Sequence, residues 1–377
     1  MNKLQAPKYI RKIGDLTIVW FENTNNYILL DNILAVIFDL FLQSNSEIEF
    51  IEKSINYHNI SSSSAKHYFY DFQQLLNENS LKESNEGQKT INTTCSKEFY
   101  PSELYRYNKK VFRINYASDK VKLLIHPLLE HLCIKSEFTP STIVFSIDHL
   151  DNKLSLYQDD ELIIQYPQRD YHMIQGKFAM LLINFLHHKY EEDWIGTFHG
   201  STISDGKKAV LLVGNSGSGK STFAALSMHN GYKLVADDIS ALLSENLNIY
   251  SYPAGISIKE GSYNVLKDYF SDLDTYNTHN LNPSKGKIRY LPSRDYIDKH
   301  CYSCNTILWI NYRDGEKTNL EIIPKEEVLK FLIPESWLSP KPDNAKRFLD
   351  WLETIDCYKI TYSNNKDVGD ILKEVFS

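Results

Sequence analysis

Between His199 and Asp238 the sequence gathers a glycine-rich loop with a lysine, a run of hydroxyls, a histidine and two adjacent carboxylates. The loop reads Gly214-Asn215-Ser216-Gly217-Ser218-Gly219-Lys220-Ser221, with Thr222 next. It fits G-x-x-x-x-G-K-[ST]. In that pattern glycines let backbone N–H groups turn inward around phosphate oxygens, the lysine reaches the β- and γ-phosphates, and the hydroxyl holds Mg²⁺. The chemistry it points to is nucleoside triphosphate binding, ATP with Mg²⁺, along Gly214 to Thr222.

Such a loop works only between a strand and a helix. Ala209–Val213 is a continuous apolar run, as a buried strand should be, and it leads directly into Gly214. Thr222–His229 has helix-forming content and stops at Asn230-Gly231. Upstream, Asp205-Gly206 is a hairpin signal, so a strand through His199–Ile203 should pair with the strand feeding the loop. Downstream, the short run from Lys233 ends in Asp237-Asp238. Carboxylates at the carboxyl end of a strand lie on the ligand side of an α/β sheet, and adjacent ones point opposite ways. One would serve Mg²⁺ and the other an acceptor hydroxyl. Alone, His199 reads as an ordinary histidine and the aspartate pair as a turn or cap; their order around the loop makes them candidates.

Together, His199-Gly200, the loop Gly214–Ser221 and Leu234-Val-Ala-Asp-Asp238 resemble the catalytic core of the HPr kinase/phosphorylase family. The resemblance implies an α/β fold (α+β overall), a P-loop core shared with phosphoenolpyruvate carboxykinases. It implies that His199 sits by the γ-phosphate, Lys220 binds phosphate, Ser221 and Asp237 hold Mg²⁺, and Asp238 is the general base. The nearest counterpart of the family's later Mg²⁺-binding glutamate is Glu260, for which a helix start is the other reading. Lys285-Gly-Lys287-Ile-Arg289-Tyr290 reads as a basic loop, either reaching the phosphates or acceptor or lying solvated at the surface.

The N-terminal part carries a second pattern. Leu16–Phe21 and Tyr27–Leu30 read as a hairpin. Helices are expected over Ile33–Leu42, capped by Asp31 or Asn32, over Glu47–Tyr57, capped by Ser44 or Ser46, and over 65–77 after the serine run. This winged-helix-like order resembles a PqqD-type domain, which implies capture of a leader peptide as an added strand. Residues 1–82 are then a peptide-binding domain, 83–97 a polar linker and 98–377 the kinase domain. In the last, Val111–Asn115, Val121–Ile125, Ile143–Ile147, Leu154–Gln158 and Leu162–Gln165 look like strands, and Met173–Lys189 a helix. Trp337, Trp351 and Phe348–Leu352 look like helix core, and Cys357–Ser377 a strand, turn and closing helix.

Bulk properties narrow the function. A net charge of −7 argues against a general nucleic-acid binder. Five cysteines, an odd and sparse set, suit a reducing cytoplasm. The stretch Ile33–Leu42, broken by Asp39, is too short to span a bilayer, so no membrane role is expected. Cys301 and Cys304 beside His300 lack the further ligands a zinc site needs. The expectation is phosphoryl transfer from ATP to a Ser/Thr hydroxyl of a peptide or small protein, by a chain that leaves room for an oligomer. A kinase of a small hydroxylated metabolite such as a free amino acid, and a nucleotide-gated peptide-binding protein without transfer, are the alternatives.

Overall fold

The computed structural model describes residues 6–80, 101–135, 140–280, 286–293 and 300–377. The expected linker 83–97 lies outside them. The chain forms a mixed α/β structure of two compact units. One comprises residues 1–86 with 322–357, the other 87–321 with 358–377. Residues 322–357 thus group with the N-terminal unit rather than with the stretch 98–377 in which the sequence reading put them.

In the N-terminal unit three strands, β1 (Tyr9–Ile13), β2 (Leu16–Phe21) and β3 (Asn26–Asp31), form an antiparallel sheet with β2 in the middle. β1 is additional to the expected hairpin. Its alternation of half-buried and exposed residues left only Ile10 and Ile13 as apolar signals. Three helices follow, Asn32–Leu42, Glu47–His58 and Ser62–Glu78. Side chains of Asp31, Ser46 and Ser61 cap them by accepting from the N–H groups of Leu34, Glu49 and Ser64. Phe38, Phe41, Phe50 and Phe72 fill the core between helices and sheet. The helix Pro342–Thr354 buries Phe348, Leu349, Trp351 and Leu352, as its spacing predicts. Trp337 instead lies on the short strand Ser336–Leu338 and is half-buried.

The second unit holds two larger sheets. One has the order β4 (Ser102–Tyr107), β5 (Lys110–Tyr116), β6 (Val144–Leu150), β7 (Lys153–Gln158), β8 (Glu161–Pro167). The helix Tyr171–His187 lies on it, with Phe178 edge-on to Phe145 at 5.3 Å between ring centres. Val121–Ile125, expected as a strand, instead includes the end of a short helix, Asp119–Lys122. Ser118 caps that helix by accepting from the Val121 N–H at 3.3 Å, and the buried Val121 was an apolar contact rather than part of a strand pattern.

The other sheet carries the chemistry. Its path runs β12 (Lys233–Ala236), β10 (Ser201–Ser204), β11 (Lys208–Val213), β17 (Cys301–Tyr312), β14 (Asn248–Tyr250), β13 (Ser240–Leu243), β9 (Trp194–Phe198). β10 and β11 form the expected antiparallel hairpin, Ser201 opposite Leu212. β11 and β17 are parallel, Val213 beside Trp309. A two-stranded sheet pairs β15 (Ile256–Lys259) with β16 (Ile288–Leu291). Arg289 and Tyr290, read as loop residues, are therefore on a strand, while Lys285 lies outside the described residues. The helix Lys220–His229 packs Phe223 and Leu226 into the core with Val210, Leu212 and Ile310. Among the described residues no helix is long and apolar enough to cross a membrane.

Candidate functional site

The parallel pairing of β11 with β17 decides the shape of the glycine-rich loop. A side chain at Gly214 (φ +148°) would put its Cβ 2.8 Å from the Ile310 carbonyl oxygen and 2.7 Å from Ser218 Oγ. Only glycine lets the strand turn so close to its neighbour. The Tyr312 N–H then donates to the Ser218 carbonyl at 3.1 Å, tying the loop to the end of β17. Lys220 opens the helix, is buried, and folds back so that Nζ donates to the carbonyls of Gly214 (2.6 Å) and Asn215 (3.3 Å). The helix has no side-chain cap, which leaves its first N–H groups and its positive dipole end at the loop. Strand, loop, lysine and helix stand in the order that the sequence pattern predicts for a phosphate cradle.

The carboxylates arrive through β12. It pairs with β10 on the side away from β11, Thr202 opposite Ala236. The next residue, Asp237, is therefore brought to Ser201, whose hydroxyl donates to Asp237 Oδ1 at 2.5 Å. The Ser257 N–H donates to Oδ2 at 3.2 Å. Asp237 is buried, and burial followed by the charge of Asp238 raises its pKa. A carboxylate held this way is short of a cation. Ser221 Oγ lies 3.4 and 3.5 Å from the two carboxylate oxygens. Adjacent ligands of an octahedral ion with bonds of about 2.1 Å sit roughly 3 Å apart, so an approach of about half an ångström would let this hydroxyl–carboxylate pair hold Mg²⁺.

Asp238, past the end of β12, is in the opposite environment from its neighbour. It is exposed, and its φ of +62° is a conformation that aspartate tolerates better than most residues. Two residues later the chain re-enters the sheet as β13. His199 lies in the break between β9 and β10, exposed. Its neighbour Gly200 passes so near β11 that a Cβ there would meet the Leu212 carbonyl oxygen at 2.5 Å. The Ser240 hydroxyl donates to the Gly200 carbonyl at 3.1 Å and contacts Thr202 Oγ1 at 2.7 Å, which holds the histidine's backbone in place.

One cleft of about 900 Å³ takes in His199, the loop residues Ser216, Gly217 and Gly219 to Thr222, and Asp238. Sequence reasoning assigned no role to several residues of the cleft and its support. Ser201, outside the lining, anchors Asp237, while Ser262 Oγ meets Thr222 Oγ1 at 2.7 Å, and Tyr252 and Tyr290 line the wall near Asp238. Burial first and the Asp238 charge second push both tyrosine hydroxyls upward in pKa, so both stay protonated. Ser201 stood next to the His-Gly pair, and Tyr290 in the stretch read as a basic loop.

Glu260 is not brought to this group. It is the first residue of the helix Glu260–Leu266, exposed, and outside the residues lining the cleft. No cluster of three or more His, Cys, Asp or Glu poised for a metal occurs among the described residues. Arg289 lies over the Tyr263 ring, 4.5 Å from its centre, and Lys287 is exposed. Cys301 and Cys304 fall on opposite faces of β17, the latter buried, a spacing that cannot chelate.

The second unit is thus an α/β structure with a P-loop-type phosphate cradle beside a carboxylate pair. No family model and no curated protein matches the chain. Among solved structures it is similar to the Hpr(Ser) kinase/phosphatase from Coxiella burnetii, at 16% identity and a TM-score of 0.24, over 48% of this chain and 93% of that one.

Proposed function

We propose that the protein is an ATP-dependent kinase that phosphorylates a hydroxyl, a Ser or Thr of a peptide or small protein. The observation that supports this reading is the convergence of the cradle, the Ser221–Asp237 pair and the outward Asp238 on one cleft. The loop N–H groups and Lys220 hold the nucleotide's phosphates. Ser221 and Asp237 would hold Mg²⁺, which would supply charge neutralisation on the transferring group. Asp238 takes the proton of the acceptor hydroxyl as its oxygen bonds to the γ-phosphorus and the bond to the bridging oxygen breaks, releasing ADP. His199 borders the transferred group. In such chemistry positioning and charge neutralisation do most of the work. The N-terminal unit, by its PqqD-like pattern, presents the peptide; the edge strands β1 and β3 are the natural docking edges for an added strand.

The test is incubation with γ-labelled ATP, Mg²⁺ and an extract of the source organism, following label into both macromolecules and small molecules, with Asp238→Asn as control. Label in a peptide or protein that the control loses upholds the reading. Label confined to a small molecule makes the protein a metabolite kinase. Nucleotide binding without Asp238-dependent label in either fraction leaves the nucleotide-gated binding protein.

A further inference from the structure

The cleft is larger than the phosphate cradle. Its other end is walled by Val121, Leu124, Leu128 and Leu154. Val121 and Leu128 come from the short helices Asp119–Lys122 and His126–Leu129, Leu124 from the turn between them, and Leu154 from β7. The wall is fixed in place. The Gln175 side chain donates to the Leu124 carbonyl at 2.7 Å, and the Gly255 N–H donates to the Leu128 carbonyl at 2.9 Å. Gly255 is two residues before Ser257, whose N–H holds Asp237. The apolar wall and the carboxylate pair are thus anchored by one short piece of backbone.

Among the described lining residues, Asp238 is the one carboxylate. Of the cationic candidates in the lining, Lys120, His172, His199 and Lys259 are exposed, and Lys220 is folded onto the Gly214 carbonyl. Inside the cleft, His149 Nε2 is withdrawn from solvent and has no hydrogen-bond partner among the described residues. His149 stands opposite Leu154 in the β6–β7 pairing, next to the wall. The lining also carries Gln168, Tyr171 and Gln175; the Gln175 amide is spent on the Leu124 carbonyl, which leaves His149 Nε2 as the buried polar atom without a partner among the described lining residues. A largely apolar wall with a few polar groups is the composition of a site that recognises a small organic group.

We infer that this end of the cleft is the acceptor subsite, and that it takes an uncharged apolar group next to the hydroxyl to be phosphorylated, with His149 hydrogen-bonding a polar atom of the same molecule. The inference rests on the kinase reading for the word acceptor, but not for the pocket. Two sources share this chemistry: a peptide with an apolar residue beside the reactive Ser or Thr, and a free aliphatic alcohol.

The test separates the pocket from the reaction. Binding of the neutral fluorophore N-phenyl-1-naphthylamine is measured for the full chain and for Leu124→Glu and Leu124→Gln. Binding of N-methylanthraniloyl-ATP serves as the check that each variant is folded. The expected result is probe binding weakened about tenfold or more in both variants, equivalent to ~1.4 kcal/mol, with nucleotide binding unchanged. Probe binding that is absent, or indifferent to Leu124 in a folded variant, overturns the subsite. Transfer is then assayed with N-acetyl-Leu-Ser-amide, its Asp-Ser and Lys-Ser counterparts, and isoamyl alcohol. Preference for the leucyl peptide or the alcohol over both charged peptides, lost in Leu124→Glu, supports the inference and tells the two sources apart. Equal use of the charged peptides overturns it. Leu124-dependent probe binding with no product from any acceptor would sink the kinase reading and leave the apolar pocket standing.

Discussion

Asp237 and Asp238 are neighbours in sequence and opposites in environment. One is buried among a serine hydroxyl and a backbone N–H, and the other is exposed in the cleft at positive φ. The two substitutions should therefore fail differently. Asp238→Asn should abolish transfer, by a factor on the order of 10³ or more, while nucleotide binding, followed by fluorescence titration, stays near wild type. A fully active Asp238→Asn protein would refute the general-base role. Gly214→Ala should harm the loop itself, because the added methyl meets the Ile310 carbonyl and Ser218. Its measurable sign is weaker nucleotide binding together with a lower melting temperature, where Asp238→Asn shows neither. These outcomes depend on the loop, the part of the site most legible in the sequence. Lys220, Ser221 and the aspartates were readable because each type has a fixed job at a fixed place. Ser201 was not, because only the pairing of β10 with β12 brings it to Asp237, and Ser262, Tyr252 and Tyr290 reach the cleft through tertiary packing that no local pattern marks.

Elements were legible where a strong local signal agreed with the tertiary outcome. The three N-terminal helices announce themselves through Asp31, Ser46 and the Ser61 run, and the structure selects Asp31 over Asn32 and Ser46 over Ser44 as caps. Asp31→Ala should cost about 1 kcal/mol, read as a lower urea midpoint, since the Leu34 N–H loses its partner at 2.8 Å. Where signals were weak or mixed, reading failed. Val121–Ile125 is apolar enough for a strand, yet Ser118-Asp119 ahead of it is a helix start. Ser102–Tyr107 mixes charge and aromatics, and its strand identity comes from pairing with β5. For Glu260 the sequence left a metal ligand and a helix start open, and it is the first residue of the helix Glu260–Leu266.

At the scale of the whole molecule, one histidine links stability to pH. His187 is half-buried, its Nε2 donates to the Ser251 carbonyl at 2.7 Å, and burial lowers its pKa to about 4. The folded state therefore refuses a proton that the unfolded chain accepts below about pH 6.5. Above that pH His187 does not affect the balance. As pH falls from 6.5 towards 4 the unfolded state gains, and this contribution to stability is lost. It should amount to about 2 kcal/mol at pH 5. Urea midpoints of the unchanged chain and of His187→Asn at pH 7 and pH 5 measure it, the variant losing less stability on acidification. An unchanged slope would show that His187 protonates in the folded protein.

The return of residues 322–357 to the N-terminal unit has a consequence for how the protein is made. The phenylalanine core of that unit lies wholly within residues 19–76 and can assemble as soon as those residues leave the ribosome. Its other aromatic face cannot be completed so early. Tyr9 stacks on Trp20, Trp20 tilts against Tyr27, and Tyr27 meets the edge of Phe348 at 5.5 Å. Arg11 likewise pairs with Asp350 and Glu353, both at 2.9 Å. At about 5–20 residues per second, synthesis delivers that closing helix only after roughly 15–60 seconds. During that interval a nascent chain carries an unsealed aromatic surface, the kind of surface that holding chaperones recognise. A gene cut after residue 86 would leave that surface unsealed permanently.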